Sequence, residues 1–336
     1  MKQGLIIGKF MPVHKGHVGL IQFALNQCDE VIVSMSFKND DPIPPDLRLN
    51  FINEIFQGNS KVRIVSVKDD FDQEDRPWSE RIKIWAQFTR TKFPSVNVVI
   101  SSEDYGPLLA AQLGITHLSF DPQRIQFPVS ASRIRANPFR SWDFIPKEVR
   151  PYYVKKICFY GPESTGKSTM TKRMAELYET EWVPEVSREI VTTNDFTTDD
   201  IIKIGYAQTE RVLEKTKTAN KILFCDSDLI TTQIYSRYYL KVIPPILFEL
   251  ERRISYDLYF LFDIDVPWVA DGTRDLGDDQ KRKEMFDVFK SELDKRNILY
   301  ILVTGNWDER EKIIKASTAN MISSSAQSTA SPGSRQ

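Results

Sequence analysis

The sequence predicts an α/β protein made of two doubly wound parallel-sheet domains in series, an expectation carried by three observations. Short apolar runs alternate with amphipathic stretches along most of the chain, the rhythm of βαβ units. That rhythm breaks once, near residue 137, and then restarts. Each half opens with an apolar strand followed directly by a glycine-containing loop and a helix, the arrangement that places a phosphate at a helix N-terminus. With 336 residues, 41% hydrophobic and 27% charged, the chain is long enough for two cores.

In the first half, Leu5–Gly8 reads as a strand, KFMPVHKGH as a loop, and Val18–Cys28 as a helix. Strands are expected at Glu30–Ser36, Val62–Val67, Val96–Ser101 and Thr116–Phe120. Helices are expected at Ser79–Thr91 and around Leu108. From 138 to 155 the prolines and the aromatics Trp142, Phe144, Tyr152 and Tyr153 suggest a packed connector, because flexible linkers are polar and rich in Gly and Ser. The second half restarts at Lys156–Tyr160, with further strands at Lys221–Cys225, Leu258–Phe262 and Ile298–Val303. Its helices are expected at Lys167–Tyr178, Thr198–Lys215, from Leu229 onward, and at Asp279–Asn297. The domains are therefore expected at 1–137 and 156–315, with 316–336, rich in Ser, Ala and Thr, read as a disordered tail.

Bulk properties narrow the function classes. A formal net charge of −1 does not advertise binding to nucleic acid or to an anionic membrane, although a local basic pocket for small phosphates remains open. Cys28, Cys158 and Cys225 are far apart, lie in or beside apolar runs, and form no C-x-x-C pair. They read as reduced core residues. The start MKQGLIIGKF lacks a signal-peptide pattern and no apolar run approaches the ~20 residues of a membrane span. The expected address is the cytoplasm. A homo-oligomer is compatible with the sequence, which does not set the oligomeric state.

Gly161-Pro-Glu163-Ser164-Thr165-Gly166-Lys167-Ser168 matches G-x-x-x-x-G-K-[ST] between a strand and a helix. The glycines let backbone N–H groups curl around phosphate, Lys167 reaches the β- and γ-phosphates of ATP, and Ser168 offers its hydroxyl to Mg²⁺. Thr169 continues the binding segment. Downstream, FCDSD places Asp226 and Asp228 just past an apolar strand. Asp226 suits Mg²⁺, a hard ion held by oxygen, whereas Asp228 suits either the site or an N-cap for the next helix. Glu185, with Arg188, follows a further strand candidate, and either Glu185 or Asp226 could accept the proton of an acceptor hydroxyl. The stretch VADGTRDLGDDQKR puts Arg274 in a glycine-containing loop. Such a loop is either charged surface or a lid that places an arginine on a transferring phosphoryl group.

In the first half, His14 and His17 stand three apart around Gly16, directly after the first strand and opening the first helix. Donors fixed there would stabilise the charge that grows on an α-phosphate during nucleotidyl transfer. Near the end of the same domain, Ser130, Ser132 and Arg133 in VSASRIR open a helical segment. The serines can cap the helix or bind phosphate, and Arg133 offers a bidentate fork.

GKFMPVHKGH together with VSASRIR resembles the nucleotidylyltransferase superfamily, with its H-x-G-H and S-x-x-R motifs. Followed by FIPKEVRPYYVKKICFYGPESTGKST, FCDSDLITTQ and WVADGTRDLG, the whole is similar to the bifunctional nicotinamide-nucleotide adenylyltransferase/ribosylnicotinamide kinase family, NadR. The likeness runs from about residue 4 to 315. It implies a nucleotidylyltransferase-like Rossmann-type domain followed by a P-loop kinase domain. It also implies two reactions of NAD biosynthesis: ATP-dependent phosphorylation of nicotinamide riboside and adenylylation of nicotinamide mononucleotide. By this likeness His14, His17 and Arg133 are adenylyltransferase phosphate-binding positions, with Gly8, Lys9, Phe10, Ser130 and Ser132 among the nucleotide contacts. Trp78 and Trp85 fall where the family carries tryptophans, and either one stacks on the nicotinamide ring or anchors the core. Some relatives carry an N-terminal DNA-binding helix-turn-helix. This chain reaches its first strand by Leu5, so a repressor role of that kind is not expected. Two other readings stay open: the same chemistries on a flavin or pantetheine nucleotide, because phosphate motifs recognise the shared ATP, and a nucleotide-sensing regulator with one inactive site.

Overall fold

A computed structural model describes residues 1–72, 75–191, 193, 195–269 and 277–324, with the side chains of Trp78 and Ser324 excepted. Contacts divide it into two compact units, Met1–Arg150 and Pro151–Ser323.

The first unit holds a parallel sheet of β1 (Gln3–Gly8), β2 (Glu30–Phe37), β3 (Val62–Lys68), β4 (Val98–Ser101) and β5 (Thr116–Ser119), in the order β3-β2-β1-β4-β5. Its helices are α1 (Lys15–Gln27), α2 (Pro45–Ile55), α3 (Trp78–Lys92), α4 (Tyr105–Leu113) and α5 (Ala131–Ala136). Leu5 is the register partner of both Ile32 and Val99, so β1 is a central strand, and its neighbours Leu5 and Ile6, on opposite faces of the sheet, are both fully buried, which is why its apolar run is continuous rather than alternating. Strand order reverses between β1 and β4. The carboxyl end of β1 is thus the topological switch point, where loops diverge and leave a crevice. The segment after α5 forms a 3₁₀ turn at Phe139–Phe144 with Phe139, Trp142 and Ile145 buried. The Arg150 guanidinium lies 5.4 Å from the Trp142 ring centroid and donates to the Ile145 carbonyl at 3.1 Å.

The second unit holds a parallel sheet of β6 (Lys155–Tyr160), β7 (Trp182–Val183), β8 (Ile222–Asp226), β9 (Leu258–Phe262) and β10 (Tyr300–Val303), in the order β10-β9-β6-β8-β7. The helices are α6 (Lys167–Leu177), α7 (Ser187–Ile190), α8 (Thr198–Thr218), α9 (Leu229–Leu240), α10 (Ile246–Glu251), α11 (Asp279–Lys295) and α12 (Trp307–Ser324). Alternation along β6 builds a core on each face of the sheet. Ile157 and Phe159 pack with Met170, Met174 and Ile314, while Cys158 and Tyr160 pack with Ile230, Met285 and Phe289.

The expected tail from 316 needs correction, because α12 continues to Ser324. Thr318 is fully buried and Met321 and Ile322 pack against the core that contains Ile314. Spaced four and then three or four apart, these residues share one helical face. The stripe is narrow and the residues between are small and polar, which gave the segment the composition of a tail.

Candidate functional site

At the carboxyl end of β1, Gly8, Lys9, Phe10, His14, Gly16 and His17 line a cavity of ≈ 290 Å³ together with Tyr105, Arg124, Ser130 and Ser132. His14 is the N-cap of α1. Its Nδ1 accepts the His17 backbone N–H at 3.3 Å, and the Nδ1 of His17 accepts the His14 backbone N–H at 3.4 Å. The rings stack with centroids 3.7 Å apart. Burial, and then the nearby Arg124 charge, lowers the His14 pKa to about 4. Burial, His14 and Arg124 lower that of His17 well below its usual value. Both rings are therefore neutral near pH 7. Because Nδ1 of each is an acceptor, the proton sits on Nε2, leaving one N–H donor per ring for a ligand.

Fixed groups hold the loops around this cavity. Arg48 on α2 is fully buried and donates to the Lys9 carbonyl at 2.6 Å, the Ser36 carbonyl at 3.4 Å and Asp41 Oδ2 at 2.7 Å. It ties the loops leaving β1 and β2 to one point. The Tyr105 hydroxyl donates to the Ile7 carbonyl at 2.6 Å. Asp121 accepts the backbone N–H groups of Ile125, Gln126 and Phe127 at 2.8, 3.1 and 2.9 Å, shaping the loop that carries Arg124.

The remaining expected residues of this unit divide between structural roles and a side chain outside the described residues. Ser130 caps α5 by accepting the Arg133 backbone N–H at 3.3 Å. Arg133 itself is exposed and donates to the Pro128 carbonyl at 3.4 Å. It is not on the cavity wall; Arg124 is. Trp85 is 8% exposed and packs with Ile82, Ala86, Val99 and Leu109, edge-on to Phe71 at 4.9 Å. It is a core residue here, away from the lining of the cavity, because its place on α3 faces the sheet. The side chain of Trp78, the first residue of α3, lies outside the described residues.

In the second unit the phosphate loop joins β6 to α6. Gly161 and Gly166 have φ of +139° and +85°, and a Cβ would come within 2.9 Å of the Phe262 carbonyl oxygen at the first and 2.7 Å of the Trp307 ring at the second. Only glycine fits both positions. Lys167, 8% exposed, donates from Nζ to the Pro162 carbonyl at 2.8 Å, folded back over the loop. Glu163, Ser164, Thr165, Gly166, Lys167, Ser168 and Thr169 border a cavity of ≈ 190 Å³. Glu185, Arg188, Gln208 and Asp228 supply its polar wall, and Val191, Phe196, Tyr235 and Tyr239 its apolar wall.

The two aspartates of FCDSD separate in role. Asp226 ends β8, is 1% exposed, bonds to Ser168, and leaves Oδ1 buried with no partner. Burial and the neighbouring Glu185 raise its pKa to about 6 against the opposing pull of Lys167, Ser168 and Arg188. Asp228 caps α9: Oδ1 accepts the Thr231 backbone N–H at 2.9 Å and its hydroxyl at 3.0 Å, while Oδ2 accepts the Tyr259 hydroxyl at 3.0 Å. Both oxygens are engaged, so its place on the cavity wall is structural. Glu185 pairs with Arg188 at 3.0 Å. Arg274 lies outside the described residues.

Arg310 is a residue the sequence reading passed over. It is fully buried on α12 and donates to the carbonyls of Thr165 at 2.6 Å, Asp263 at 3.1 Å and Gly305 at 2.8 Å, and to Asp265. It anchors the phosphate loop to the ends of β9 and β10. An arginine in a charged helical stretch, WDEREK, carries no mark that distinguishes it from a solvated one.

Known proteins agree with this two-site layout. The trifunctional NAD biosynthesis/regulator protein NadR of Escherichia coli K12 is 32% identical over 327 residues, covering 89% of this chain and 78% of its own. The chain belongs to the NadR family. Within it, residues 156–310 match the family described as an AAA domain. The nicotinamide-nucleotide adenylyltransferase of Pyrococcus furiosus is 27% identical over 165 residues, 47% of this chain and 85% of that enzyme. In fold, a crystal structure of NadR protein in complex with NAD and AMP-PNP superposes with a TM-score of 0.76 at 20% identity, covering 95% of this chain and 96% of that one. Another, of NadR protein in complex with NR, gives 0.74 at 19% identity, covering 100% and 98%.

Proposed function

We propose that the second unit transfers the γ-phosphoryl group of ATP to nicotinamide riboside, and that the first transfers the adenylyl group of ATP to nicotinamide mononucleotide, forming NAD and releasing pyrophosphate. Family membership supports the pairing of these activities. The observation that carries the kinase half is the orphaned Asp226 Oδ1 beside Ser168 and Lys167 at the edge of a cavity with an aromatic wall.

A buried carboxylate oxygen without a partner is costly unless a cation or donor meets it. With the Ser168 hydroxyl it offers hard oxygen ligands that fit Mg²⁺. No group of three or more His, Cys, Asp or Glu is set to hold a metal among the described residues, which suits an ion that completes its shell with water and phosphate oxygens. Asp226 and Ser168 would hold Mg²⁺ there, and the ion would supply positive charge to the transferring phosphates. Lys167 leaves its resting contact with Pro162 and moves to the β- and γ-phosphates, and the loop N–H groups hold the β-phosphate. Phe196, Tyr235 and Tyr239 suit the flat cationic ring of the riboside. Asp226 serves the metal, so the carboxylate left to accept the proton of the acceptor hydroxyl is Glu185.

In the first unit the Nε2–H groups of His14 and His17, neutral and fixed at the N-terminus of α1, stabilise the charge that develops on the α-phosphate as the mononucleotide phosphate attacks. Arg124 supplies a cation at the same cavity, and Arg133, on the first turns of α5, can swing to the β- and γ-phosphates. Incubation of the chain with ATP, Mg²⁺ and nicotinamide riboside, with products separated by chromatography, tests both halves. Mononucleotide and then NAD are expected. Mononucleotide without NAD overturns the first-unit assignment, NAD formed only from supplied mononucleotide overturns the second, and turnover of riboflavin or pantetheine compounds instead would change the substrate class.

A further inference from the structure

We infer that Gln208 is a positioning residue for phosphoryl transfer: by fixing the backbone beside Glu185 it aims that carboxylate at the riboside hydroxyl. The inference rests on the reading of Glu185 as the group that takes the hydroxyl proton. Gln208 lies on α8 in the stripe Ile201, Ile204, Gln208 and Val212, buried residues spaced three and four apart that share one helical face. A hydrocarbon side chain would continue that stripe without burying a polar group. The position instead holds an amide that is 4% exposed and borders the cavity lined by Glu185.

The orientation of this amide is fixed. Its Oε1 accepts the Val186 backbone N–H at 3.1 Å in a buried contact. A backbone N–H always donates, so the atom facing Val186 is the oxygen. Nε2 is buried with no partner. An unsatisfied buried donor lowers stability, so packing alone does not favour glutamine here. What the amide supplies, and a hydrocarbon does not, is an oxygen for the Val186 N–H.

Val186 directly follows Glu185 and is the N-cap of α7. α8 holds this stretch of chain at three places. Lys215 and Thr218 donate to Glu181 at 2.8 and 3.1 Å, Gln208 holds Val186, and both terminal nitrogens of Arg211 meet the Glu189 carboxylate at 3.1 Å. The two charged pairs are partly open to water, where ion pairs contribute little. The Gln208 bond is the buried one of the three, and it falls beside the carboxylate that takes the proton. The pairing of Glu185 with Arg188 at 3.0 Å is internal to the segment, so it does not set the segment's place against α8. Glu185 stands near enough to Asp226 to raise its pKa, so a shift of the segment displaces a charge at the transfer site. A displacement of about 1 Å there costs on the order of 10²-fold in rate.

Single-turnover phosphoryl transfer from ATP to nicotinamide riboside, measured in the full chain with saturating Mg²⁺ and substrates, tests this. Gln208→Met keeps the length of the side chain and removes the amide. Val186→Pro removes the donor at the other end of the bond, at a φ of −66° that proline adopts, so if one variant misfolds the other decides. Each should slow transfer by about tenfold to a hundredfold, with KM for ATP within about twofold of wild type. Glu185→Gln alone should slow transfer by about 10²-fold or more. Added to Glu185→Gln, Gln208→Met should slow it by less than about a further twofold, because a residue that acts through Glu185 has nothing left to aim. Equal losses with and without Glu185 would make Gln208 a packing or ligand contact and overturn the inference, as would wild-type transfer in a folded single variant of Gln208 or Val186. Wild-type transfer by Glu185→Gln would remove the proton-acceptor reading and the positioning role with it. A slow Glu185→Gln beside an unaffected Gln208→Met overturns the positioning role alone.

Discussion

His14 and His17 cap one another, the Nδ1 of each accepting the backbone N–H of the other at 3.3 and 3.4 Å. This reciprocity determines which nitrogen of each ring carries the proton, and so converts a helix start into a pair of aimed donors. His17→Ala is expected to lower adenylyl transfer by about 10²–10³-fold, the usual cost of one lost transition-state donor, with riboside phosphorylation retained. Adenylylation at the wild-type rate would confine His17 to capping.

The same pair predicts an unusual titration. The His14 pKa is lowered from 6.5 to about 4, and that of His17 also falls. The folded state thus binds fewer protons than the unfolded chain in that window. The stability contribution is complete above pH 6.5 and is lost as pH falls towards about 4, since the unfolded state gains protons first. Histidine Cε1–H resonances of the ligand-free protein should show neither ring titrating near pH 6.5. A midpoint there for His14 or His17 would contradict the burial argument.

Asp226→Asn separates activity from stability. Its folded pKa is raised from 3.8 to about 6, so the native state binds more protons and stability declines as pH rises through that interval. Above it, the carboxylate is a net cost in the ligand-free protein. The variant should lose riboside phosphorylation yet melt a few degrees higher than wild type at about pH 8 without Mg²⁺. A lower melting point would mean that Asp226 is compensated in the fold itself.

Lys167→Ala should abolish riboside phosphorylation and leave adenylylation of supplied mononucleotide within about twofold, because the lysine acts only on phosphates held by its own loop. Thermal unfolding run in parallel shows whether the variant is folded. Loss of both activities in a folded variant would mean that the two sites are not separate.

Trp85→Ala is expected to cost about 3–5 kcal/mol in denaturant unfolding, the range for truncating a buried aromatic. A variant of normal stability with weakened mononucleotide affinity alone would return Trp85 to the ligand. Deleting the chain after Lys315 should likewise lower the melting temperature by several degrees, because it removes Thr318, Met321 and Ile322 from the core they share with Ile314. An unchanged melting point would make that helix dispensable.

The sequence alone determined the alternation of strands and helices, the phosphate loop and the histidine pair, because each is written in local spacing: an apolar run, a glycine that must take positive φ, a donor at a helix start. Gly161, Lys167, His14 and His17 stand where that spacing placed them. Direction and partnership emerge only when the sheets bring distant segments together. Asp226 and Asp228 are two residues apart and chemically alike, yet one bonds Ser168 and keeps its other oxygen buried without a partner, while the other spends both oxygens on Thr231 and Tyr259. Arg48 and Arg310 are buried clamps that read in sequence as solvated charges, Arg124 takes the cavity wall that Arg133 leaves, and Trp85 turns to the sheet. The physical reason is the same in each case. Whether a polar or aromatic side chain meets water, a ligand or a backbone carbonyl depends on which distant loops the sheet brings beside it, and no local pattern encodes that.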